Sequence, residues 1–376
     1  MIYLDHNATT PVAGEVLEAM MPYLTTEWGN PSSSYRFGSK LRSAVERARE
    51  QVAGLIGSFA GEIVFTCCAT ESNNAAINGA LKARPERRHV VTSSVEHSSV
   101  LNYCMGLERE GYRVTYLGVD RDGMLDVAEL ERSLSDDTAV ASIMWANNET
   151  GVLFPIDRIA EVCRARGVLF HCDAVQVAGK LAVDVKRVPV DYLSLTGHKF
   201  NAPKGVGALY VHRRAPFSPY LYGGHQEHGR RGGTENVALV VGMGVAAELA
   251  CAKAADYEGR VGPLRDSLER EILTRIPGTE LNGHPTQRLA NTSNITFHGI
   301  QAEALLLLLD EEGVCASSGS ACLADSDEPS HVVRAMKPES GANRQMIRFS
   351  LDWATTEQEV LRGVDLAEEA AEALRG

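Results

Sequence analysis

The stretch VDYLSLTGHKFNAPKGVGALYV, residues 190–211, decides the fold. An alternating apolar run ends at Thr196, then Gly197, His198 and Lys199 arrive together, and a glycine-rich turn leads into a second strand-like run. A lysine placed where a buried strand empties into a cleft loses water. Desolvation lowers its pKa from about 10.4 toward the range where the neutral amine is a usable nucleophile. A lone lysine more often snorkels at the surface, so the meaning of Lys199 depends on its surroundings.

Outward from that stretch, short apolar runs alternate with helical segments: EIVFT from 62, HVVTSS from 89, RVTYLGV from 113, AVASIMWA from 139 and VLFHCDA from 168. Strands alternating with helices predict a mostly parallel sheet covered on both faces. Residues 39–57 place Leu41, Ala44, Val45, Ala48, Val52, Leu55 and Ile56 on one helical face. After about residue 235 the rhythm changes to two long helical patterns (237–255 and 261–275), short strand-like runs and a closing helix near TTEQEV, which reads as a smaller α+β domain.

Bulk properties narrow the function classes. A chain of 376 residues suggests about two domains. The net charge of −12 argues against nucleic acid or an anionic membrane as a main partner. MIYLDHNATTP lacks the basic and apolar regions of a signal peptide, and LLLLL at 305–309 is far short of a membrane span. The eight cysteines include no C-x-x-C pair, which fits a reducing cytoplasm better than a disulfide scaffold or zinc site. Cys67, Cys68, Cys163 and Cys172 read as small core residues, and Cys315 as a strand residue. His225 and His228 have a metal-like spacing, but no third ligand stands nearby, so no metal site is expected.

Ligands of open parallel sheets bind at the carboxyl ends of strands, and this chain loads those ends with polar groups. VFTCCATESNN opens a helix near Thr70, where free N–H groups and the helix dipole suit a phosphate. VEHSS leaves His97 at a strand end, WANNETG leaves Asn147 and Asn148, and FHCDAVQ leaves Asp173 and Gln176. Singly these read as a helix cap, a core histidine or a turn former; together with Lys199 they converge on one cleft. A phosphate cradle, an aspartate, a histidine and a lysine match the needs of pyridoxal phosphate. The lysine binds the aldehyde, and the aspartate keeps the pyridine nitrogen protonated.

From YLDHNATTP through GNPSSSYRFG, ATESNN, VEHSSV, ANNETG, DAVQ, GHK, PKGVG and GGTEN to SSGSAC and EPSHVVRAM, the chain resembles the cysteine desulfurases of the class-V aminotransferase family. It is similar to the long-loop NifS and IscS group, and MWANNETG, GGHQEHGRRGGTEN and ASSGSACLADSDEPSHVVRAM lean toward the nitrogen-fixation type. The resemblance implies a fold-type I α/β enzyme. Residues 15–255 would form a large domain with a seven-stranded sheet; residues 1–14 and 256–376 would form a small domain carrying the cysteine loop. It also implies that Lys199 holds the cofactor and shuttles protons, Asp173 pairs with the ring nitrogen, and His97 stacks on the ring and takes part in proton transfer. Gln176 and Asn148 would contact the ring side, with Asn148 also at the substrate. Ala69 (through its backbone), Thr70, Thr196 and His198 would hold the phosphate, joined by Thr234 of the partner subunit in a homodimer. Arg348 would clamp the substrate carboxylate.

Two positions depart from the family: Cys68 stands where many relatives have glycine, and Thr196 where serine or cysteine is common. Cys322, among small and polar residues in SSGSACLADSDEPS, would take sulfur from L-cysteine as a persulfide and release L-alanine. The implied acceptor is an iron–sulfur scaffold protein of the NifU or IscU kind, at whose interface Cys322 could transiently ligate a cluster. An aminotransferase or a selenocysteine lyase on the same scaffold is the alternative enzyme, although an aminotransferase has no use for that cysteine. A sulfur-carrier or scaffold protein binding a cluster through Cys322 is the non-enzymatic alternative; it leaves Lys199 and Asp173 unexplained.

Overall fold

The apolar runs read from the sequence become strands because helices cover both faces of the sheet they form. The structure, a computed structural model, describes residues 1–319 and 329–376. Its strands are β1 (Ile2–Tyr3), β2 (Ile63–Thr66), β3 (His89–Ser93), β4 (Arg113–Leu117), β5 (Thr138–Met144), β6 (Leu169–Asp173), β7 (Tyr192–Thr196), β8 (Gly207–Val211), β9 (Thr279–Asn282), β10 (Thr292–Phe297), β11 (Val314–Cys315) and β12 (Met346–Ser350). The helices are α1 (Gly14–Thr25), α2 (Arg36–Leu55), α3 (Ala69–Ala83), α4 (Ser98–Arg109), α5 (Val127–Ser133), α6 (Ile156–Ala165), α7 (Val237–Ala254), α8 (Tyr257–Arg275), α9 (Ala302–Glu311), α10 (His331–Met336) and α11 (Glu357–Arg375).

The main sheet has seven strands in the order β2-β8-β7-β6-β5-β3-β4. All its pairings are parallel except those of β8, which runs against both β2 and β7. Every residue of β5, β6 and β7 is buried, as doubly covered parallel strands require. Even the polar His171 is satisfied there, bonding Ser142 Oγ at 2.8 Å and Ser194 Oγ at 2.9 Å across neighbouring strands.

One apolar core lies between this sheet and α1, α2, α6 and α7, and the opposite face packs against α3 and α4. A separate core joins Leu4 and helices α8, α9 and α11 to the antiparallel sheet β12-β10-β9. Helix α7 is apolar and long enough to cross a membrane, yet it packs on α1 and α2 as a core helix. Gly244 permits that contact, since a Cβ there would lie 2.7 Å from the Cα of Ala48.

The amino terminus is a strap. Residue pairs Ile2–Val314 and Tyr3–Cys315 hold it to β11, and Asp5 bridges to Ser350. It then crosses to the loop after β7, where Thr10 N–H donates to the carbonyl of His198 at 2.9 Å.

A second tie fastens the loop before α7. Glu227, at φ 49°, accepts two bonds from the Arg49 guanidinium, at 2.6 and 2.9 Å, and one from Phe65 N–H at 2.8 Å. Both side chains of this pair are buried. Removing one member of a buried pair strands the other charge. Glu227→Ala is therefore expected to lower unfolding stability by about 3 kcal/mol, with Glu227→Gln losing less, as read from urea denaturation midpoints.

Candidate active site

The carboxyl ends of the parallel strands open on a cleft of about 180 Å³. It brings together Ala69, Thr70, His97, Asn148, Asp173, Gln176, Thr196, His198, Lys199 and Arg348; all but Ala69 and Arg348, which the resemblance supplied, belong to the strand-end groups read from the sequence. A larger cleft of about 520 Å³ lies at the other end of the sheet, beside Arg84, Arg164, Arg213 and Asp191, away from these groups. Thr234 is exposed on the loop before α7 and does not line the site within one chain. Cys322 lies outside the described residues.

The phosphate end is the start of α3. Its N-cap, Cys68, supplies no side-chain bond, so the first amides are left for a ligand. Gly207 of β8 lets the sheet reach under this turn, where a Cβ would come within 2.8 Å of the Cys68 backbone. Cys67 is exposed and Cys68 half-buried, which corrects the expectation that both are core residues. The reason is positional: they form the turn that presents the helix amides at the cleft mouth. Burial, followed by the Glu71 carboxylate, pushes the Cys67 thiol up to about 12, so it stays protonated. Cys163 and Cys172 are buried as expected.

Asp173 is fixed by two donors: Asn73 Nδ2 reaches Oδ2 at 2.7 Å and Val175 N–H reaches Oδ1 at 3.0 Å. The same Asn73 amide donates to Ser99 Oγ at 2.9 Å, and Ser99 Oγ bonds His97 Nδ1 at 2.8 Å. His97 is also the N-cap of α4, its Nδ1 accepting Ser99 N–H at 3.2 Å. With Nδ1 committed as an acceptor, a neutral His97 carries its proton on Nε2. Burial pushes His97 below its ordinary value; Lys199 and His331 add to that, and Asp173 opposes it. His198 is lowered to about 4, first by burial and then by Lys199, Lys204 and His97.

Lys199 follows β7 on a short 3-10 turn, and its ammonium donates to the carbonyls of Asn7 at 2.5 Å and Ala8 at 2.8 Å. Asn7 gathers further contacts: Gln176 Nε2 donates to its carbonyl at 3.1 Å, and its own Nδ2 donates to the carbonyl of Asn148 at 3.1 Å. Arg348, on β12, is 1% exposed. Its Nη2 reaches Asp5 Oδ1 at 2.6 Å and its Nη1 the carbonyl of Asn148 at 3.1 Å, while Nε has no partner among the described residues. Asn7, Asn73 and Ser99 were not singled out from the sequence. Asn73 sits in the quoted ESNN and Ser99 in EHSS, but neither spacing tells that the two side chains meet.

The arrangement can hold a phosphate on helix amides, keep a protonated aromatic nitrogen against a fixed carboxylate, and offer a desolvated amine beside them. Comparison with known proteins agrees. The family model for class-V aminotransferases matches residues 2–362. A Trichormus variabilis protein named cysteine desulfurase 2 is 53% identical over 375 residues, covering 100% of this chain and 94% of that one. The cysteine desulfurase NifS of Azotobacter vinelandii is 50% identical over 362 residues, 96% of this chain and 90% of that one. A solved NifS-like protein superposes with a TM-score of 0.93 at 34% identity, covering 99% of this chain and all of that one.

The double duty of His97 is testable. His97→Ala removes an N-cap and is expected to cost about 1 kcal/mol of stability. His97→Asn supplies a strong cap and should stay near wild type in the same denaturant titration.

Proposed function

The chain belongs to the class-V aminotransferase family and is a pyridoxal-phosphate-dependent cysteine desulfurase, and we propose that Lys199 and Cys322 carry its two half-tasks, activation of L-cysteine and capture of its sulfur. The observation that carries this reading is the convergence of Lys199, His97, the buried Asp173 and the uncapped start of α3 in one cleft.

The residues fit the cofactor. The amides of Ala69 and Thr70, with Thr196 and His198 alongside, would hold the phosphate; Asp173 would pair with the ring nitrogen; Lys199 would take the aldehyde; His97, Gln176 and Asn148 would contact the ring. When bound, the cofactor supplies the electron sink that makes the substrate Cα–H acidic.

Arg348 clamps the α-carboxylate, for which its unpartnered buried Nε is the supporting sign. The Lys199 amine takes the proton from Cα and returns protons to the carbon skeleton, and the Nε2–H of His97 is available to donate at the substrate. The Cys322 thiolate attacks the substrate Sγ: an S–S bond forms as the Cβ–Sγ bond breaks. Protonation at Cβ and Cα then releases L-alanine and leaves a persulfide on Cys322.

The chain flanking residues 320–328 supports this delivery. Ser317 exchanges backbone bonds with Arg348, at 3.2 and 2.6 Å. On the other side Ser330 Oγ donates to Glu149 Oε2 at 2.5 Å, beside Asn148, and His331 Nε2 bonds the carbonyl of Glu96 at 2.9 Å, beside His97. Both flanks are thus fastened to neighbours of cleft residues.

The finer readings follow the family. The enzyme works as a homodimer in the cytoplasm, and the exposed Thr234 reaches the phosphate of the partner subunit. Residues 15–255 form the large domain; residues 1–14 and 256–376 form the small one. The persulfide passes to an iron–sulfur scaffold protein serving nitrogenase-type maturation.

The deciding assay measures L-alanine released from L-cysteine with a reductant present. Cys322→Ala should retain the yellow cofactor, release no alanine above background and carry no persulfide by mass spectrometry; equal release by both proteins would remove Cys322 from the mechanism. Arg348→Lys should raise KM for L-cysteine by about tenfold or more, because a single ammonium does not reproduce a planar two-point clamp. An unchanged KM would move the carboxylate elsewhere.

A further inference from the structure

Lys199 has a second lysine beneath it. Lys180 follows β6 by seven residues and is 5% exposed. Its ammonium donates to Gln176 Oε1 at 2.9 Å and to Asn7 Oδ1 at 3.2 Å. Lys199 uses the carbonyl oxygen of the same Asn7. One residue therefore receives both lysines, and a cavity of about 30 Å³ is lined by both.

The surroundings leave Lys180 poorly compensated. Both partners of Lys180 are neutral amides. Facing it are Lys199, Arg348 and Asp352, and Lys180 in turn acts on His6. Arg348 is already paired with Asp5. On the Lys199 side stand His97 and His198, with Asp173 acting on His97 and Lys204 on His198. Lys253 and Tyr257 complete the shared cavity. Burial, then Lys199, pushes Lys180 down to about 7; Asp352 opposes this and Arg348 adds to it. A retained buried lysine with no carboxylate bonded to it is expensive, and the steps derived above make no use of it.

We propose that Lys180 is a positioning residue for Lys199: held on Asn7 and Gln176, its ammonium is the neighbouring cation that keeps the Lys199 nitrogen neutral and reactive. A second cation is one of the recognised ways to activate a lysine nucleophile. The direction follows from relative basicity. Once linked to the cofactor aldehyde, the Lys199 nitrogen is a weaker base than a free amine. Lys180 is then the stronger base of the pair, keeps its proton, and repels a proton from the linkage. This rests on the reading of Lys199 as the cofactor-bearing residue.

The test titrates the visible absorbance of the cofactor linkage in the holoenzyme against pH, for wild type, Lys180→Gln, Lys180→Met and Lys180→Arg. Glutamine keeps hydrogen-bonding capacity and loses the charge; methionine loses both; arginine keeps the charge. The expected result is a midpoint raised by about one pH unit in both uncharged variants, the scale of one nearby charge, with arginine near wild type. A wild-type midpoint in Lys180→Gln would overturn the proposal even if Lys180→Met shifts, because the role would then be the hydrogen bond alone. If Lys180→Gln fails to fold, Lys180→Asn, which also keeps an amide and loses the charge, takes its place, and a wild-type midpoint there overturns the proposal in the same way. Borohydride reduction followed by peptide mapping separates the two layers. Cofactor trapped on another lysine sinks the reading of Lys199, whereas cofactor on Lys199 with an unmoved midpoint sinks only the role of Lys180.

Discussion

A lysine that is to act as a base must be taken out of water without being left unsatisfied, and in this molecule the carbonyls of Asn7 and Ala8 meet that constraint for Lys199. Carbonyls accept the amine's protons without contributing a full negative charge that would fix it as an ammonium. They come from the amino-terminal strap, so the strap has to be anchored on both sides. One anchor is its pairing with β11 and the bridge from Asp5 to Ser350; the other is Thr10 on the carbonyl of His198. The same Asn7 carbonyl also accepts from Gln176, and the Asn7 side-chain amide donates to Asn148 and Thr292. The strap is two residues of strand and a few residues of irregular chain, yet the cleft depends on it.

The opposite wall is organised by a carboxylate. Asp173 is oriented by Asn73, and the same amide passes the order on through Ser99 to His97. Asp173 and His97, the residues proposed to meet the ring nitrogen and to stack on the ring, are thus set by one hydrogen-bond chain that crosses from α3 to α4. The capping role of His97 and its tautomer come from the same bond, so the geometry of α4 and the proton position on the imidazole are inseparable.

Much of this was legible in the sequence, for a physical reason. Parallel strands covered on both faces must read as short apolar runs, and ligand-binding groups must sit where those runs end; β5, β6 and β7 obey both rules, so Asn148, Asp173 and Lys199 could be named from position alone. What stayed hidden depends on distance along the chain. Asn7 meets Lys199 across 192 residues, and the meeting of Asn73 with Ser99 and Asp173 joins three elements; no local spacing encodes either. The run that becomes β8 was read as strand-like, but its antiparallel insertion between β2 and β7 was not, because strand order and direction leave no mark on local periodicity. The pair at 67 and 68 was misread because cysteine is usually a small apolar residue, and the requirement for exposed helix amides outweighed that preference. Thr234 stands exposed on the loop before α7, away from the cleft of its own chain.

The charge distribution joins these pieces. The chain carries −12 overall, yet Lys199 and Arg348 line the cleft and Lys180 stands behind Lys199, while of the nearby carboxylates Asp5 is spent on Arg348 and Asp173 is held by Asn73 and Val175. An excess of buried cations is unstable by itself, and it becomes favourable when the ligands bring the missing negative charge. On the proposed reading, a cofactor phosphate at the start of α3 and a substrate carboxylate at Arg348 would be two such groups. The protein thus keeps its site electrostatically incomplete, and binding energy from those two anions can be drawn on to hold the substrate at the lysine. On the role proposed for Lys180, the cations that favour those anions also disfavour a charge on the Lys199 nitrogen, so anion binding and amine reactivity would share one arrangement of charges.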